Sequence, residues 1–333
     1  MKNVLFATTA LVAFAGAAAA EVSFSGDMTA GYNDQIEGGL FWEADLDAKF
    51  TVDMGDGITV IASVNLFNWE GDNNDPHNPL DYIEVSYAGD AYSASLKFGD
   101  LADKGASEYF YADRSGMAVD VENHDDDDDV RALVEFGNYG FAAGCENVDG
   151  SNCDNGSNFG LGATFGSFEL GVGYDDGAGG QAQVTAVSVD TTFGAAEIGV
   201  SYASSAAENS IGVALSYALN GMITVGGYYA NNSASDDAWG VDVAYTSGPL
   251  SVGVYYDDTT TGASEYGADV GYAITDQITA NVGLFSDGTF VYYAGIDYAV
   301  NDSVTATVSY ATADEIGGPE YKDGITALIT ASF

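Results

Sequence analysis

The segment that decides the fold is residues 40–52, which read LFWEADLDAKFTV. From Leu40 to Val52 every second residue is apolar, and the residues between them include a charged set, Glu43, Asp45, Asp47 and Lys49. Successive side chains of a β-strand point to opposite faces of the sheet. The alternation therefore predicts a strand with one apolar face and one charged face.

The same period-two pattern recurs along the rest of the chain, for example at residues 211–219, 239–245 and 290–298. Short turns alternate with longer polar loops, which are predicted at residues 70–79, 99–129, 148–157, 231–237, 257–264 and 311–322. Tight turns at one rim and long loops at the other are typical of outer-membrane β-barrels. A literal count predicts about 20 strands, which begin near Val22, Leu40, Ile58, Leu80, Ala91, Val130, Phe141, Asn158, Phe168, Ala182, Ala196, Asn209, Met222, Ala238, Leu250, Glu265, Ile278, Phe290, Val304 and Gly324.

The alternation by itself fits a soluble sandwich with its apolar faces inside or a membrane barrel with its apolar face outside. Three features favour the barrel. Residues 325–333 alternate up to a terminal Phe333, tyrosine pairs stand near strand ends at 228–229, 255–256 and 292–293, and glycines occupy the polar parity at 171, 173, 212, 226 and 253. Aromatic residues near strand ends suit the girdles of a barrel, and small inward residues predict an open lumen. We therefore predict an all-β fold, a closed antiparallel transmembrane β-barrel.

The composition excludes several classes of protein. The chain has 333 residues, with 51 Asp+Glu against 7 Lys+Arg and a formal net charge of −44. A nucleic-acid binder needs a basic surface, so no nucleic-acid partner is expected. A disordered acidic protein is poor in aromatic residues, whereas this chain has 22 Tyr and 17 Phe. No run of about 18 apolar residues follows the N-terminus, so the sequence predicts no membrane-spanning helix.

Residues 1–20 have the features of a secretory signal peptide. Lys2 supplies a positive charge, residues 4–16 are mostly apolar, and three alanines form a small-residue cleavage site before Glu21. We expect a mature barrel of residues 21–333 in an oxidising compartment, where disulfide bonds can form. Cys145 and Cys153 would then form a disulfide bond, and two unpaired thiols are the alternative.

The longest stretch without alternation is residues 99–129, the third long loop. A loop of this length in a compact fold is usually functional or disordered. Its aromatic residues, Tyr109, Phe110 and Tyr111, favour packing against another part of the protein.

The mature chain also resembles the alphaproteobacterial (Rhodobacter-type) family of Gram-negative general diffusion porins. The matching segments are residues 21–27 (EVSFSGD), 97–100 (KFGD) and 105–108 (GASE), together with the terminal Phe333. The resemblance implies an outer-membrane homotrimer, surrounded by lipid and lipopolysaccharide, with the third loop folded into each lumen. It also implies about 16 strands rather than 20, so the predicted strand number is about 16–20.

By the same resemblance, acidic residues of the third loop are candidates for a pore constriction: Asp100, Asp103, Glu108, Asp113, Asp120 and Glu122. In the family these acids face a basic wall. Here the inward wall positions upstream of the loop offer only two bases, Lys49 and Lys97, and the strand of Lys49 also carries Glu43, Asp45 and Asp47. This chain therefore departs from the family, in which facing acids and bases produce a strong electric field across the pore.

A lumen lined by carboxylates concentrates cations, and rings of Asp and Glu are a common route to cation preference. We predict a water-filled channel that passes small hydrophilic solutes and ions passively and favours cations. The alternative is a non-channel outer-membrane barrel that acts as an adhesin or as a calcium-dependent structural surface protein.

The densest charge block is His124 followed by five aspartates, Asp125, Asp126, Asp127, Asp128 and Asp129. The block fits a solvated loop end or a calcium site, since Ca²⁺ takes about six to eight oxygen ligands. Its spacing is not that of an EF-hand. No cofactor is required by the predicted function. The sequence has no nucleophile elbow, phosphate loop or zinc spacing, so no enzyme activity is expected.

Overall fold

The computed structural model describes residues 20–36, 38–70, 80–99, 105–119, 121, 128–149, 152–177, 182–258, 264–314, 319 and 321–333. Within these ranges the chain forms 20 β-strands. The first ten are β1 Ala20–Asn33, β2 Leu40–Gly55, β3 Ile58–Glu70, β4 Leu80–Ala88, β5 Ser93–Gly99, β6 Asp128–Phe136, β7 Tyr139–Asp149, β8 Asn152–Phe165, β9 Phe168–Asp175 and β10 Val184–Phe193. The others are β11 Ala196–Ser205, β12 Asn209–Ala218, β13 Ile223–Asn232, β14 Ala238–Ser247, β15 Leu250–Asp258, β16 Glu265–Thr275, β17 Ile278–Ser286, β18 Phe290–Asn301, β19 Val304–Ala311 and β20 Gly324–Ser332. No helix in the described ranges is long and apolar enough to cross a membrane.

The strands form one closed antiparallel sheet. Each strand pairs with its neighbours in sequence, and β20 pairs with β1 in a register that runs from Asp27↔Ser332 to Asn33↔Thr326. At the end of this seam, Gly26 and Phe333 exchange two backbone hydrogen bonds of 3.1 Å. Closure pairs the backbone groups that a free sheet edge would leave unsatisfied in lipid.

The literal count of 20 strands is confirmed, and the lower number implied by the resemblance does not apply to this chain. Predicted and observed strand starts agree within two residues except at β8. The loop predicted at 148–157 is wrong, because β7 continues to Asp149 and β8 begins at Asn152. Asp, Asn and Ser are typical of loops. Composition therefore misplaced this boundary, although β7 and β8 pair up to Asp149↔Asn152.

The apolar parity of the strands faces outward. On β12, Val213 is 41% exposed, whereas Ser210 on the opposite parity is 1% exposed. The same division holds on β10, where Val187 and Val189 are exposed and Ser188 is buried. A soluble sandwich would bury the apolar parity instead. The predicted arrangement of a membrane barrel, apolar outside and polar inside, is therefore confirmed.

The packed core of this barrel lies in its lumen. One cluster joins the third loop to the inner wall and comprises Tyr111, Met117, Val119, Val121, Val184, Ala186, Ala203, Ala230 and Ala238. A second cluster lies on another part of the wall and comprises Phe285, Val291, Tyr293, Ala311 and Tyr321. Loops that enter the barrel therefore supply much of the buried apolar surface.

The assignment of faces predicts how β12 responds to a charge. Val213 lies near the middle of the outward face, and we expect Val213→Lys to lower the free energy of unfolding in lipid vesicles by about 2–4 kcal/mol. The cause is the loss of hydration of a lysine in the bilayer. Ala214→Lys is the matched control. The side chain of residue 214 faces the polar interior, so a lysine there should lower the free energy of unfolding much less. Equal losses in a urea titration would contradict the assigned faces.

Candidate functional site

The described segments of the third loop, residues 105–119 and 121, lie against the inner wall of β7–β14. Near the start of the loop, Ser107 N donates a hydrogen bond of 3.2 Å to Asn158 Oδ1 on β8. Ala112 N then donates to Ser188 Oγ on β10 at 3.1 Å, and Ser201 Oγ on β11 donates to the carbonyl oxygen of Ala112. Polar wall side chains therefore hold the loop backbone.

The same kind of contact continues along β12 and β13. Ala118 N and Val119 N donate to Ser210 Oγ at 3.1 and 3.0 Å. Asn232 Oδ1 accepts from Ala118 N at 2.9 Å, and its Nδ2 donates to the carbonyl oxygen of Gly116 at 3.0 Å. The described part of the loop thus crosses the inner wall, as the resemblance implies for this loop.

Inward glycines of β9 make room for this loop. A Cβ at Gly171 would overlap the carbonyl oxygen of Phe110, and a Cβ at Gly173 would lie 2.6 Å from that of Ser107. Both glycines face inward, as predicted. The open lumen predicted at these two glycines is wrong, because the loop backbone occupies the space above them.

Arg114 of the loop binds the wall. Its Nη2 forms an ion pair with Asp190 Oδ1 on β10, and its Nη1 donates to the carbonyl oxygen of Asp113 at 2.7 Å. This pair has the opposite polarity to the family arrangement, since the loop carries the base and the wall carries the acid. Sequence reasoning missed Arg114, although it is one of few bases in the chain.

A cavity of about 420 Å³ opens between Arg114 and the inner face of β9–β14. Its lining includes four carboxylates, Glu169, Asp190, Glu197 and Asp242. The walls of such a cavity focus the field of these charges and raise the local concentration of cations. The four acids were not among the predicted residues. Their position on the polar parity of their strands is the signal that could have found them.

Further carboxylates line the wall beyond this cavity. Asp257 and Asp269 each lie against an inward glycine of the preceding strand. Asp297 on β18 accepts hydrogen bonds from Asn281 Nδ2 at 2.8 Å and from Thr307 Oγ1 at 2.7 Å. The acidic surface therefore extends over β14–β18.

The five predicted wall residues lie on the inward parity of β2 and β5: Glu43, Asp45, Asp47, Lys49 and Lys97. Asp45 Oδ1 accepts a hydrogen bond of 3.2 Å from Asn65 Nδ2. Lys97 Nζ lies 4.1 Å from the centroid of the Tyr82 ring. Their role in lining a pore stays a prediction.

Arg131 on β6 is a basic wall residue that the prediction missed. It pairs directly with Lys97 across β5 and β6. Its side chain is buried, with the guanidinium carbon 5.3 Å from the centroid of the Tyr109 ring in the third loop. Arg131 stands between the apolar residues Val130 and Ala132 and so belongs to the polar parity of β6. This alternation could have revealed it as an inward residue.

Only part of the predicted constriction lies within the described residues. Glu108 is nearly buried, and Asp113 is half-buried next to Arg114. The other predicted loop acids lie outside the described residues: Asp100, Asp103, Asp120 and Glu122.

The predicted calcium site and disulfide bond also stay predictions. Asp125, Asp126 and Asp127 lie outside the described residues, as do the side chains of Asp128, Asp129 and Cys153. In the part of the chain that the structure describes, no group of three or more His, Cys, Asp or Glu side chains could hold a metal ion.

Each predicted girdle pair has one tyrosine on each face of the barrel. Tyr229 and Tyr292 are exposed on the outer face, and the ring of Tyr256 lies 5.1 Å from that of Trp239. Their neighbours face inward: Tyr228, Tyr255 and Tyr293. The girdle assignment is therefore wrong for these three, because consecutive strand residues alternate between faces.

At the long-loop rim, the loop of residues 206–208 is hydrogen-bonded to the loop of residues 233–237. This contact, which we call the clasp, supports the third loop indirectly. Glu208 Oε1 accepts hydrogen bonds from Ser235 N at 2.5 Å and from Ala234 N at 2.9 Å. These backbone donors lower the pKa of Glu208. Asn232, which holds the third loop, also donates to the carbonyl oxygen of Asp236 at 2.9 Å. The clasped loop and the third loop thus share one anchor.

A family model described as Gram-negative porin matches residues 7–327 of the chain. Among solved structures, a triple mutant of the Rhodopseudomonas blastica porin is 12% identical, with 94% of this chain and 100% of that chain covered and a TM-score of 0.48. Another mutant of the Rh. blastica porin is 13% identical over the same shares, with a TM-score of 0.48. A porin refined at 1.8 Å resolution is 17% identical over 94% and 100%, with a TM-score of 0.41. No curated protein matches the chain.

The ion pair between Arg114 and Asp190 can be tested with a double-mutant cycle. We expect Arg114→Gln to lower the free energy of unfolding by about 1–2 kcal/mol, because a half-buried Asp190 carboxylate loses its partner. Asp190→Asn should cost a similar amount, and the double variant should lose clearly less than the sum. Additive losses in urea titrations would contradict the pairing.

The clasp formed by Glu208 should depend on pH. A carboxyl group whose pKa is lowered by folding stabilises the folded state above its unfolded pKa, and this stabilisation is lost as pH falls through the folded pKa. Hydrogen exchange at the amides of Ala234 and Ser235, corrected for intrinsic rates, should therefore lose protection in acid. Glu208→Ala should remove the protection at neutral pH as well. Full protection in that variant would refute the clasp.

Proposed function

Because a Gram-negative porin model matches nearly its whole length, the chain belongs to the Gram-negative porin family, and we propose that it forms a cation-favouring diffusion channel. Membership of this family places the protein in the outer membrane, where it acts in transport as a channel rather than as an enzyme. The proposal adds that the channel is water-filled, admits small hydrophilic solutes passively and favours cations over anions.

The observation that carries the cation preference is the row of carboxylates on the inner wall. Glu169, Glu197 and Asp242 surround one cavity, and Asp257 and Asp269 continue the acidic surface. Acidic rings of this kind attract cations and exclude anions from a narrow lumen.

The described bases that face the lumen are Lys49, Lys97, Arg114, Arg131 and Lys322, which are fewer than the inward carboxylates named above. Arg114 is paired with Asp190, and Lys322 Nζ lies 3.2 Å from Glu43 Oε1. Each pair contributes no net charge to the lumen. The unpaired excess of carboxylates therefore sets the sign of the potential that a permeating ion meets.

We also propose that the third loop sets the width of the channel. Its hydrogen bonds to β8, β10, β11, β12 and β13 support a fixed position inside the barrel. Glu108 and Asp113 are the described candidates for the constriction, and by resemblance the loop acids outside the described residues complete it. A rigid loop suits a diffusion channel, because a permanently open pore needs no moving gate.

Assembly and processing complete the proposal. The resemblance at residues 21–27, 97–100 and 105–108 and at the terminal Phe333 supports a homotrimer in contact with outer-membrane lipid and lipopolysaccharide. Residues 1–20 would be removed during export. Three equal closure steps in a bilayer recording would support the trimer.

Two neighbouring aspartates on β15 provide the test of cation preference. Asp257 lies on the inner face against Gly240, whereas Asp258 Oδ2 accepts a hydrogen bond of 3.0 Å from Trp239 Nε1 on the outer face. We expect Asp257→Asn to reduce the cation-to-anion permeability ratio and the matched control Asp258→Asn to leave it nearly unchanged. The measurement is the reversal potential across a planar bilayer under a KCl gradient.

Salt concentration makes this test stricter. The effect of Asp257→Asn should be largest near 0.01 M salt, where the Debye length is about 30 Å, and should fade near 1 M, where it is about 3 Å. Anion preference of the parent protein would refute the proposed selectivity. Failure of the parent to conduct at all, with no swelling of liposomes in small sugars, would favour a non-channel barrel.

A further inference from the structure

The described end of the loop that joins β19 and β20, residues 321–323, also lies inside the barrel, away from the β7–β14 wall that the described part of the third loop contacts. Tyr321 of this last long loop is 5% exposed. Its hydroxyl donates a hydrogen bond of 3.1 Å to Asp297 Oδ2 on β18 and accepts one of 3.3 Å from Asn281 Nδ2 on β17. Both partners lie on the inward parity of their strands, so Tyr321 is inside the lumen.

The ring of Tyr321 is packed as well as hydrogen-bonded. It contacts the Tyr293 ring edge to face, with centroids 5.5 Å apart. It also lies directly over Gly295, where any side chain would overlap it. The inner wall of β18 therefore has a site, at Gly295 and Tyr293, that fits this aromatic ring. We call this site the Tyr321 seat.

Lys322, the next residue, reaches in the opposite direction. Its Nζ lies 3.2 Å from Glu43 Oε1 and 5.2 Å from the centroid of the Phe41 ring, both on β2. Between β18 and β2 lie β19, β20 and β1. Since neighbouring strands are about 4.8 Å apart, roughly 19 Å of wall separates the two contacts. Two consecutive residues thus span the seam where the barrel closes.

The wall beneath these two residues is buried. Thr326 on β20 is 0% exposed and Asn33 on β1 is 1% exposed, although both face inward. Asn33 Nδ2 donates to the carbonyl oxygen of Asp323 at 2.7 Å and to Thr326 Oγ1 at 2.8 Å. Inward residues of an open lumen would meet water, so residues 321–323 cover the seam at this point.

We propose that residues 321–323, the described end of the last long loop, form a second pore-narrowing element and that Tyr321 and Lys322 help to determine the conductance and ion selectivity of the channel. Tyr321 fixes the loop to β17 and β18, and Lys322 fixes it to β2. Lys322 also places a positive charge near the long-loop mouth and neutralises Glu43, so it limits cation preference there. This inference rests on the proposed channel function, but it concerns a different loop and different residues from the constriction described above.

The first test measures single-channel conductance of Tyr321→Ala in planar bilayers. The expected result is a conductance above that of the parent, because the loop loses its seat and the seam is uncovered. Tyr292→Ala is the matched control, since Tyr292 lies on the same strand as Tyr293 but on the outer face. The control should conduct like the parent. Equal conductance of Tyr321→Ala and Tyr292→Ala would overturn the proposed narrowing.

The second test measures the reversal potential of Lys322→Gln under a KCl gradient. Removing the charge and freeing Glu43 should shift the potential further toward the cation equilibrium potential, whereas Lys322→Arg should keep the parent value. An unchanged potential in Lys322→Gln would overturn the proposed role of the charge. This variant leaves the Tyr321 seat intact but removes the contact with β2, so its reversal potential is compared with that of Tyr321→Ala, which disturbs the loop and keeps the charge.

Tyr321→Phe decides the case if Tyr321→Ala does not fold. It keeps the ring over Gly295 and removes the hydrogen bonds to Asp297 and Asn281. We expect its conductance to exceed that of the parent, but by less than complete loss of the ring would produce. A parent value in both Tyr321→Phe and Lys322→Gln would refute the inference while leaving the channel function intact. A parent protein without conductance would instead refute the proposed function.

Discussion

Hydrogen bonds between β1 and β20 close the sheet, and the rest of the structure depends on that closure. In a bilayer an unpaired backbone group has no water to bind, so every strand needs two neighbours. A closed sheet also separates space into an inside and an outside, and the alternation of each strand then sends its residues to one or the other. This separation explains how a chain with a net charge of −44 can present an apolar surface to lipid.

Inside the barrel, small residues decide where loops can lie. Gly171 and Gly173 admit the backbone of the third loop, and Gly295 admits the ring of Tyr321. Serine and asparagine side chains of the wall then satisfy the backbone groups that each loop brings into the lumen, as Ser210 and Asn33 do. The lumen is therefore packed like a protein interior near the loops and is lined by carboxylates elsewhere.

The sequence predicts the strands well, because the period-two pattern is a local property that each strand displays by itself. Residues 40–52 already contain the two faces of the barrel. The pairing of Arg114 with Asp190 and of Lys322 with Glu43 could not be predicted in the same way. These partners stand 76 and 279 positions apart and meet only because the loops fold inward. The start of β8 was misplaced for a related reason, since its polar residues are typical of loops although they belong to a strand.

The number of strands and the position of the loops control different dimensions of this protein. The diameter of a barrel grows roughly in proportion to its strand number, so 20 strands enclose a wider cylinder than 16 would, by about a quarter. Loops anchored on the inside can reduce the free bore without changing the perimeter that the lipid surrounds. Insertion and permeability are then separable traits. Related channels could diverge in the solutes they admit through changes in a few loop residues, while the surface recognised by the membrane and by the assembly machinery stays constant.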